Sequence, residues 1–489
     1  MNNRKHQSKL AILAESISAL RTIIWPIIFI FFRGGNSWYI QGLIVVGLLV
    51  LSVILGLLNW WFFTYQITPH EISLTRGILV KKQAHIPFER VQTITRTQPI
   101  YFQPFHVFKV SIETSGKNDD KLLFNALALN EIENIESLRK QAQTKRHEEQ
   151  VVNDQEPKID AQYQINNREL CVYALTSLGS LGTIGVAVAI LTNINDLLPN
   201  NFQNQFNHWI NSQTVASYAM LIAIAVFVGF IGAFLRLYNR YFQFTIKRTA
   251  AQLFLSRGLL TKQNVQLRMS RIQAVHYEQS LLRRLVGLMS VSVLLASSVS
   301  NEEVDKQTSI MPVVKEDDTD PVLKQFLPDY QFGRPQKAPM VEKAIFYQLR
   351  YVFFINCAII AFVSVVYTLF KTLTHIQMPY DFAIMSGVFF VLLVYSLASA
   401  YAKIAMQAIS VDENYMIIQI AMGFTKNIYF IPREKIQSFS TTQTIFMVNK
   451  NGQHFNVIIR DGDGRRQVSL RYLDQAALDK ITNWLVDVK

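Results

Sequence analysis

The stretch "IPFERVQTITRTQ" (Ile86–Gln98) returns as "LRMSRIQAVHYEQ" (Leu267–Gln279) and again as "IPREKIQSFSTTQ" (Ile431–Gln443). Each copy runs basic residue, apolar residue, glutamine, with a second glutamine six positions later. A phrase recurring at long intervals marks a repeated structural unit, so its surroundings must be compared before any element is assigned. Upstream, Gly77 stands fifteen residues before Gln92, Gly258 fifteen before Gln273, and Gly423 fourteen before Gln437. Each unit therefore predicts a strand ending at that glycine, which supplies the positive φ of a hairpin turn. A second strand and a turn opened by Pro87 or Pro432 follow. The apolar pairs Val91/Ile94, Ile272/Val275 and Ile436/Phe439 are three apart, which is not strand spacing. They predict one helical turn leading into a strand, with the glutamines capping its ends. On this reading Arg90, Gln92, Gln98, Arg271, Gln273, Gln279, Lys435, Gln437 and Gln443 form structural corners with Gly77, Gly258 and Gly423.

The third unit predicts three strands in "TIFMVNKNGQHFNVIIRDGDGRRQVSL", separated at Asn451-Gly452 and at Asp461–Gly464. An amphipathic helix with Leu473, Ala477, Ile481 and Leu485 on one face closes it. The first unit ends alike, with "VFKVSIET", the turn "SGKNDD", "KLLFNA" and a helix over "LNEIENIESLRKQ". The second has "MSVSVLLASS", a polar excursion and a shorter helix over "DPVLKQFL". Antiparallel strands followed by one helix imply a small barrel plugged by that helix.

Between the units lie tracts long enough for a bilayer, whose core takes roughly 20 apolar helical residues. They are Ile40–Phe63, Leu170–Leu191, Val215–Leu237, Tyr351–Phe370 and Phe382–Ala402. A sixth, Arg21–Phe32, is short and holds Pro26, and spans only if Ala11–Leu20 extends it. The turn Thr192–Thr214 has no Lys or Arg, and the other two short turns carry one each, Arg33 and Lys371. Basic residues concentrate in the long segments and termini, which the positive-inside rule places in the cytoplasm. The middles of the five long tracts lack Asp, Glu, Lys and Arg, against the usual mark of an ion or proton pathway. Asn356, the most interior polar group, predicts an interhelical hydrogen bond, and Thr183/Ala187 and Gly229/Ala233 have spacing suited to close helix packing.

These residues resemble a known group, bacterial membrane proteins with pleckstrin-homology-like domains, in the three-domain form. The resemblance rests on the glycine-ended strand, on the Ile-Pro phrase at Ile86–Gln92 and Ile431–Gln437, and on "RIQAVHYEQSLLRRLVGL" (Arg271–Leu288). The second unit departs from it with Leu267-Arg268 in place of Ile-Pro, and the third lacks the "RRLVGL" run. The resemblance implies an α+β membrane protein of six transmembrane helices in three hairpins, each followed by a PH-like β-barrel closed by a C-terminal helix. The expected divisions are a cytoplasmic N-terminus (1–20), helix pair 1 (21–63), domain 1 (64–148), a polar linker (149–168), helix pair 2 (169–239), domain 2 (240–345), helix pair 3 (346–403) and domain 3 (404–489).

No HExxH, P-loop, GxSxG or CxxC motif is present, and "RDGDGRR" lacks the spaced acidic ligands of a calcium loop. Cys171 and Cys357 lie in apolar tracts, outside any disulfide or zinc pattern. His85, His106, His276 and His454 stand singly. No catalytic, cofactor or metal site is expected. The net charge of +13 on a chain only 17% charged points to anionic partners. Nine Lys or Arg against one acid, Glu278, lie between Arg240 and Ser300. Arg240, Lys247, Arg248, Arg268, Arg271, Arg283 and Arg284 are the candidate contacts to anionic lipid. Nucleic acid is excluded, since no recognition helix is visible. The expectation is a non-enzymatic scaffold in the cell membrane, its domains cytoplasmic, binding anionic lipid, a protein partner or itself. The alternative is a transporter or channel component whose six helices line a pathway.

Overall fold

A computed structural model describes residues 4–32, 38–78, 80–114, 122–144, 159–177, 215–250, 252–296, 308–374, 381–448, 450–462 and 464–486. Two compact units divide at Ser270/Arg271, inside the second copy of the repeated phrase.

In the first unit, β1 (Lys5–His6) precedes the helices α1 (Leu10–Phe32) and α2 (Trp38–Phe62). The strands β2 (Thr64–Ile67), β3 (Glu71–Arg76) and β4 (Lys82–Pro87) follow, and the antiparallel sheet runs β1-β2-β3-β4. After it come β5 (Val91–Pro99), β6 (Val107–Thr114), β7 (Leu122–Ala128) and α3 (Leu129–Thr144). The second repeat contributes β8 (Ala161–Gln164), α4 (Asn167–Thr176), α5 (Val215–Tyr241), β9 (Thr245–Arg248), β10 (Gln252–Arg257) and β11 (Thr261–Arg268). The seven strands β5 to β11 form one sheet in the order β7-β6-β5-β11-β10-β9-β8. The repeats are thus stitched together at β5 and β11.

The second unit continues with β12 (Ile272–Gln279), the short helix α6 (Leu281–Leu285), β13 (Leu288–Leu295), β14 (Thr308–Lys315) and α7 (Thr319–Phe326). The long helices α8 (Ala344–Thr374) and α9 (Asp381–Ala405) lead to β15 (Ala408–Val411), β16 (Tyr415–Met422) and β17 (Thr425–Pro432). Their six-stranded sheet runs β14-β13-β12-β17-β16-β15, again joining two repeats edge to edge. The last repeat ends with β18 (Ile436–Thr442), the helical turn α10 (Ile445–Val448), β19 (Gly452–Asp461), β20 (Gly464–Asp474) and α11 (Gln475–Val486). Its sheet has three strands, β18-β19-β20.

The glycine turns form as the sequence predicts. Gly77 has φ 116° and Gly258 φ 106°, and a Cβ on either would lie 2.0 Å from a carbonyl oxygen, that of Val80 or Thr261. Gly423 (φ 62°) instead opens a two-residue loop, since Met422 pairs with Thr425.

The repeated phrase is built otherwise than its spacing suggests. A single 3₁₀ turn at Phe88–Arg90, Met269–Arg271 and Arg433–Lys435 comes before the apolar pair. Val91 and Ile94 both lie in β5, on either side of a register shift between Val91 and Thr93. The same shift falls between Ile272 and Ala274 and between Ile436 and Ser438. One extra residue at Gln92, Gln273 or Gln437 restarts the two-residue alternation, so residues three apart face the same core. The first glutamine therefore marks a β-bulge and does not cap a helix. The second closes the next connection: Gln279 donates to the Leu288 carbonyl and Gln443 to the Gly452 carbonyl, each nine residues on.

Other expectations are corrected. Ile445–Val448 is a helical turn, so only two strands follow β18 in the last repeat. Leu473 belongs to β20, and α11 buries Leu478 and Ile481. Asn356 donates to the Val352 carbonyl of its own helix at 2.8 Å, not across helices. Residues 161–164 of the polar stretch are a strand, β8, which pairs β9 much as β1 pairs β2. An isolated bridge, Lys337 to Ala408, stands at the corresponding place in the third repeat.

Gly42–Phe62, Ala344–Leu369 and Met385–Ala405 are long and apolar enough to cross a membrane. The helix α1 is continuous through Pro26 from Leu10 to Phe32. It packs along α2 where Gly56 sits, and a Cβ there would be 2.9 Å from the Ile12 carbonyl oxygen. Thr183/Ala187, most of Leu170–Leu191, Thr192–Thr214, the "SGKNDD" turn and residues 299–307 of the second repeat's polar excursion lie outside the described residues, while Thr308–Lys315 of that excursion is the strand β14.

Placing a side chain at Gly258 forces both a positive φ and a backbone clash. We expect Gly258→Ala to lower stability by about 1–3 kcal/mol, visible as a reduced thermal midpoint of the detergent-solubilised protein. Gly42→Ala, which meets nothing within 4 Å, leaves the midpoint unchanged or raises it.

Candidate functional site

The seven basic candidates divide between the two units. Arg240, Lys247, Arg248 and Arg268 lie in the first unit, Arg271, Arg283 and Arg284 in the second. All seven are half-buried or buried. Arg271 and Arg283, each 6% exposed, sit inside the fold. Arg283 donates to Ser290 Oγ at 2.9 Å and lies 3.9 Å from the Glu278 carboxylate. Arg284 donates to the Phe424 carbonyl, and the Arg240 guanidinium lies 5.8 Å from the Tyr241 ring centre. Lys247 lines a cleft of about 270 Å³ with Arg96 and Asn264. Arg268 is half-buried near Arg139, and burial, followed by the Arg268 charge, pushes the Arg139 guanidinium down to about 10. The run "LLRRL" forms α6, whose Arg283 bonds within the second repeat while Arg284 reaches the third.

A different group of cations converges in the last repeat. The first turns of α8 supply Tyr347, Arg350 and Tyr351, and β20 supplies Arg471 and Tyr472. His454 comes from β19, and Gln443 and Lys450 come from the connection after β18. Together they line a cavity of about 620 Å³, within the size range of small-ligand pockets. Among the described residues lining it none is acidic. Arg350 lies over the Tyr347 ring at 5.7 Å. The Tyr472 backbone N–H donates to His454 Nδ1 at 3.2 Å, which fixes that nitrogen as the acceptor.

Burial, reinforced by the charges of Arg471 and Lys403, pushes His454 down to about 4. The imidazole is therefore neutral at pH 7. The pocket thus gathers three cationic side chains and three tyrosines, with one wall from the first turns of an apolar helix.

Sequence reasoning missed this site because its residues come from four separate elements, none forming a run. The one usable signal was Arg350-Tyr351 at the start of an apolar tract, a pairing common at membrane interfaces. Of the other histidines, His276 is buried between Asn427 Oδ1 (2.9 Å) and Ser292 Oγ (3.1 Å) and stacks on Tyr429. His85 pairs with Glu71 at 3.1 Å.

The depressed His454 has a defined consequence for pH. Below about 6.5 an unfolded histidine takes up a proton that the folded one refuses, so its contribution to stability is present above that pH and falls towards pH 4. His454→Asn should remove this component. The thermal-midpoint difference between wild type and His454→Asn shifts against wild type on going from pH 7 to pH 5, and a pH-independent difference would contradict the assignment.

Comparison with known proteins agrees with this architecture. A family model for the bacterial PH domain matches residues 17–145 and 184–327, together more than half of the chain. The UPF0699 transmembrane protein YdbT of Bacillus subtilis (strain 168) is 27% identical over 328 residues, covering 64% of this chain and 66% of the relative. The match thus spans just under two thirds of that relative's length. Both regions matched by the family model contain a copy of the phrase that sets the strand corner. The chain belongs to the bacterial PH domain family.

Proposed function

We propose that the chain is an integral membrane protein without catalytic activity, which presents PH-like domains at the cytoplasmic face and holds an anionic lipid headgroup in the pocket of Arg350, Lys450 and Arg471. Three described helices have the length and composition to cross a bilayer. The remaining apolar tracts complete six spans in three hairpins, and the distribution of Lys and Arg orients the termini and domains inward. In each repeat the strands and the closing helix make a small barrel resting against the leaflet. YdbT is described as a transmembrane protein, which supports the same setting.

The observation that carries the lipid reading is the position of the cationic pocket. Its wall includes the first turns of α8, whose segment Ala344–Leu369 is one of the three apolar spans. A headgroup held there leaves its acyl chains level with apolar helix surface, a geometry that a soluble anion does not need. Each basic group beside an anionic surface contributes about 1 kcal/mol.

The test is retention of lipid by the full chain, read by native mass spectrometry after mild solubilisation from vesicles of phosphatidylglycerol or phosphatidylcholine. Wild type should retain phosphatidylglycerol preferentially. Lys450→Ala with Arg471→Ala should weaken retention by about 2 kcal/mol, roughly thirtyfold. The thermal midpoint of the double variant reports whether it is folded. Equal retention of both lipids by wild type would sink the proposal.

A further inference from the structure

The two junctions between repeats are the same junction. In the first, β5 pairs antiparallel with β11, Gln98 opposite Lys262 and Thr95 opposite Val265. In the second, β12 pairs antiparallel with β17, Gln279 opposite Lys426 and His276 opposite Tyr429. Gln98 and Gln279 are the closing glutamines of their phrases, while Lys262 and Lys426 each stand five residues before the first residue of theirs, Leu267 and Ile431. Type of strand, direction and register all coincide.

A chain of three such repeats has two junctions and leaves one edge of each kind over. The counterpart of β11 and β17 in the first repeat is β4, and the counterpart of β5 and β12 in the third is β18. Both end their sheets, in the orders β1-β2-β3-β4 and β18-β19-β20. Among the described residues neither has a strand on its outer side. Of the other sheet-ending strands, β7, β14 and β20 end the sheet in every repeat, β1 and β8 end it in the first two, and β15 ends it in the third, where the bridge Lys337 to Ala408 stands in place of a strand. Leaving aside β15, whose Ala408 carries that bridge, only β4 and β18 among the described strands are terminal in one repeat and paired in the others.

Exposure follows the same division. Thr93, Thr95 and Gln98 of β5 are buried, as are Ala274, His276 and Gln279 in or closing β12. Their counterparts Ser438, Ser440 and Gln443 are exposed. An edge of unpaired N–H and C=O groups is a template for another strand. Lysine and proline often blunt such edges, and β4 carries Lys82 and Pro87. That does not bar pairing here, because β17 carries Lys426 and Pro432 and is paired.

We infer that β18 of one copy of this chain adds to β4 of a second copy, antiparallel, in the register of the internal junctions. That register sets Thr442 opposite Lys82 and Ser440 opposite Ala84. The contact is heterologous, so each added copy leaves the same two edges open, and the assembly grows head to tail until it closes or stops.

The experiment uses the full chain in its membrane, with the free cysteines Cys171 and Cys357 changed to Ser. Two differently tagged copies are co-expressed, one with Lys82→Cys and one with Thr442→Cys, and treated with a short thiol cross-linker. The expected product contains both tags, and neither variant alone gives it. A chain carrying both substitutions should yield a ladder of dimers, trimers and larger species. Gln437→Cys in place of Thr442→Cys moves the thiol about 17 Å along the strand and should lose the product.

The inference is overturned by equal yield from the Gln437 and Thr442 positions, by a purely intrachain link in the doubly substituted chain, or by capture of a different protein alone. A monomer at all concentrations by native mass spectrometry of the unsubstituted chain, with no two-tag product, also overturns it. Lys450→Ala with Arg471→Ala leaves the cross-link intact, so this reading and the lipid reading fail separately.

Discussion

An exposed strand edge is a row of backbone donors and acceptors with no partner but water, and burying it without pairing is costly. This chain meets that constraint by running the sheet of one repeat into the next. The junction strands β5 and β12 are the bulged strands of the repeated phrase, and their partners β11 and β17 are the strands that lead into the following copy. The same short sequence thus sets the bulge in one strand and the end of the other. Because the bulge, the 3₁₀ turn and the closing glutamine recur, the register recurs. A one-residue slip would turn the apolar face outward, so the junction tolerates little variation.

The elements were legible because local chemistry announces them. Gly77 and Gly258 demand a conformation that other residues resist, and the hairpins follow. What was not legible is geometry that two different causes produce alike. Val91 and Ile94, three apart, satisfy a helical turn or a bulged strand equally, and only the pairing of β5 with β6 decides between them. Ile445–Val448 has strand-like composition but occupies a connection, where it folds as a turn. The pairing of repeats was hidden for a further reason, since a period-two pattern says that a strand is half-buried without naming its neighbour.

Charge was misplaced for a related reason. A count along the chain locates basic density in the second repeat, but density does not distinguish an arginine facing headgroups from one holding a fold together. Arg283 is committed to Ser290 and lies near Glu278, and Arg271 is buried. The converging cations Arg350, Lys450 and Arg471 are separated by as many as 121 positions and surrounded in sequence by apolar or neutral residues. Folding brings them together with no acid among the described residues that line the pocket. Such a cluster is electrostatically unfavourable by itself, and His454 in its midst avoids adding to the repulsion by staying neutral.

Tethering explains why the internal junctions and the terminal edges differ in consequence. Within one chain the partner strand is covalently supplied, so its effective concentration is high and the junction forms irrespective of protein abundance. The edges β4 and β18 have no tethered partner in the described sheets. A repeat thus pairs with its covalent neighbour, yet exposes the same polar strand when it has none. The serines and threonines of "IQSFSTT" keep that edge soluble while it waits, where a valine-rich edge of the same shape would aggregate indiscriminately.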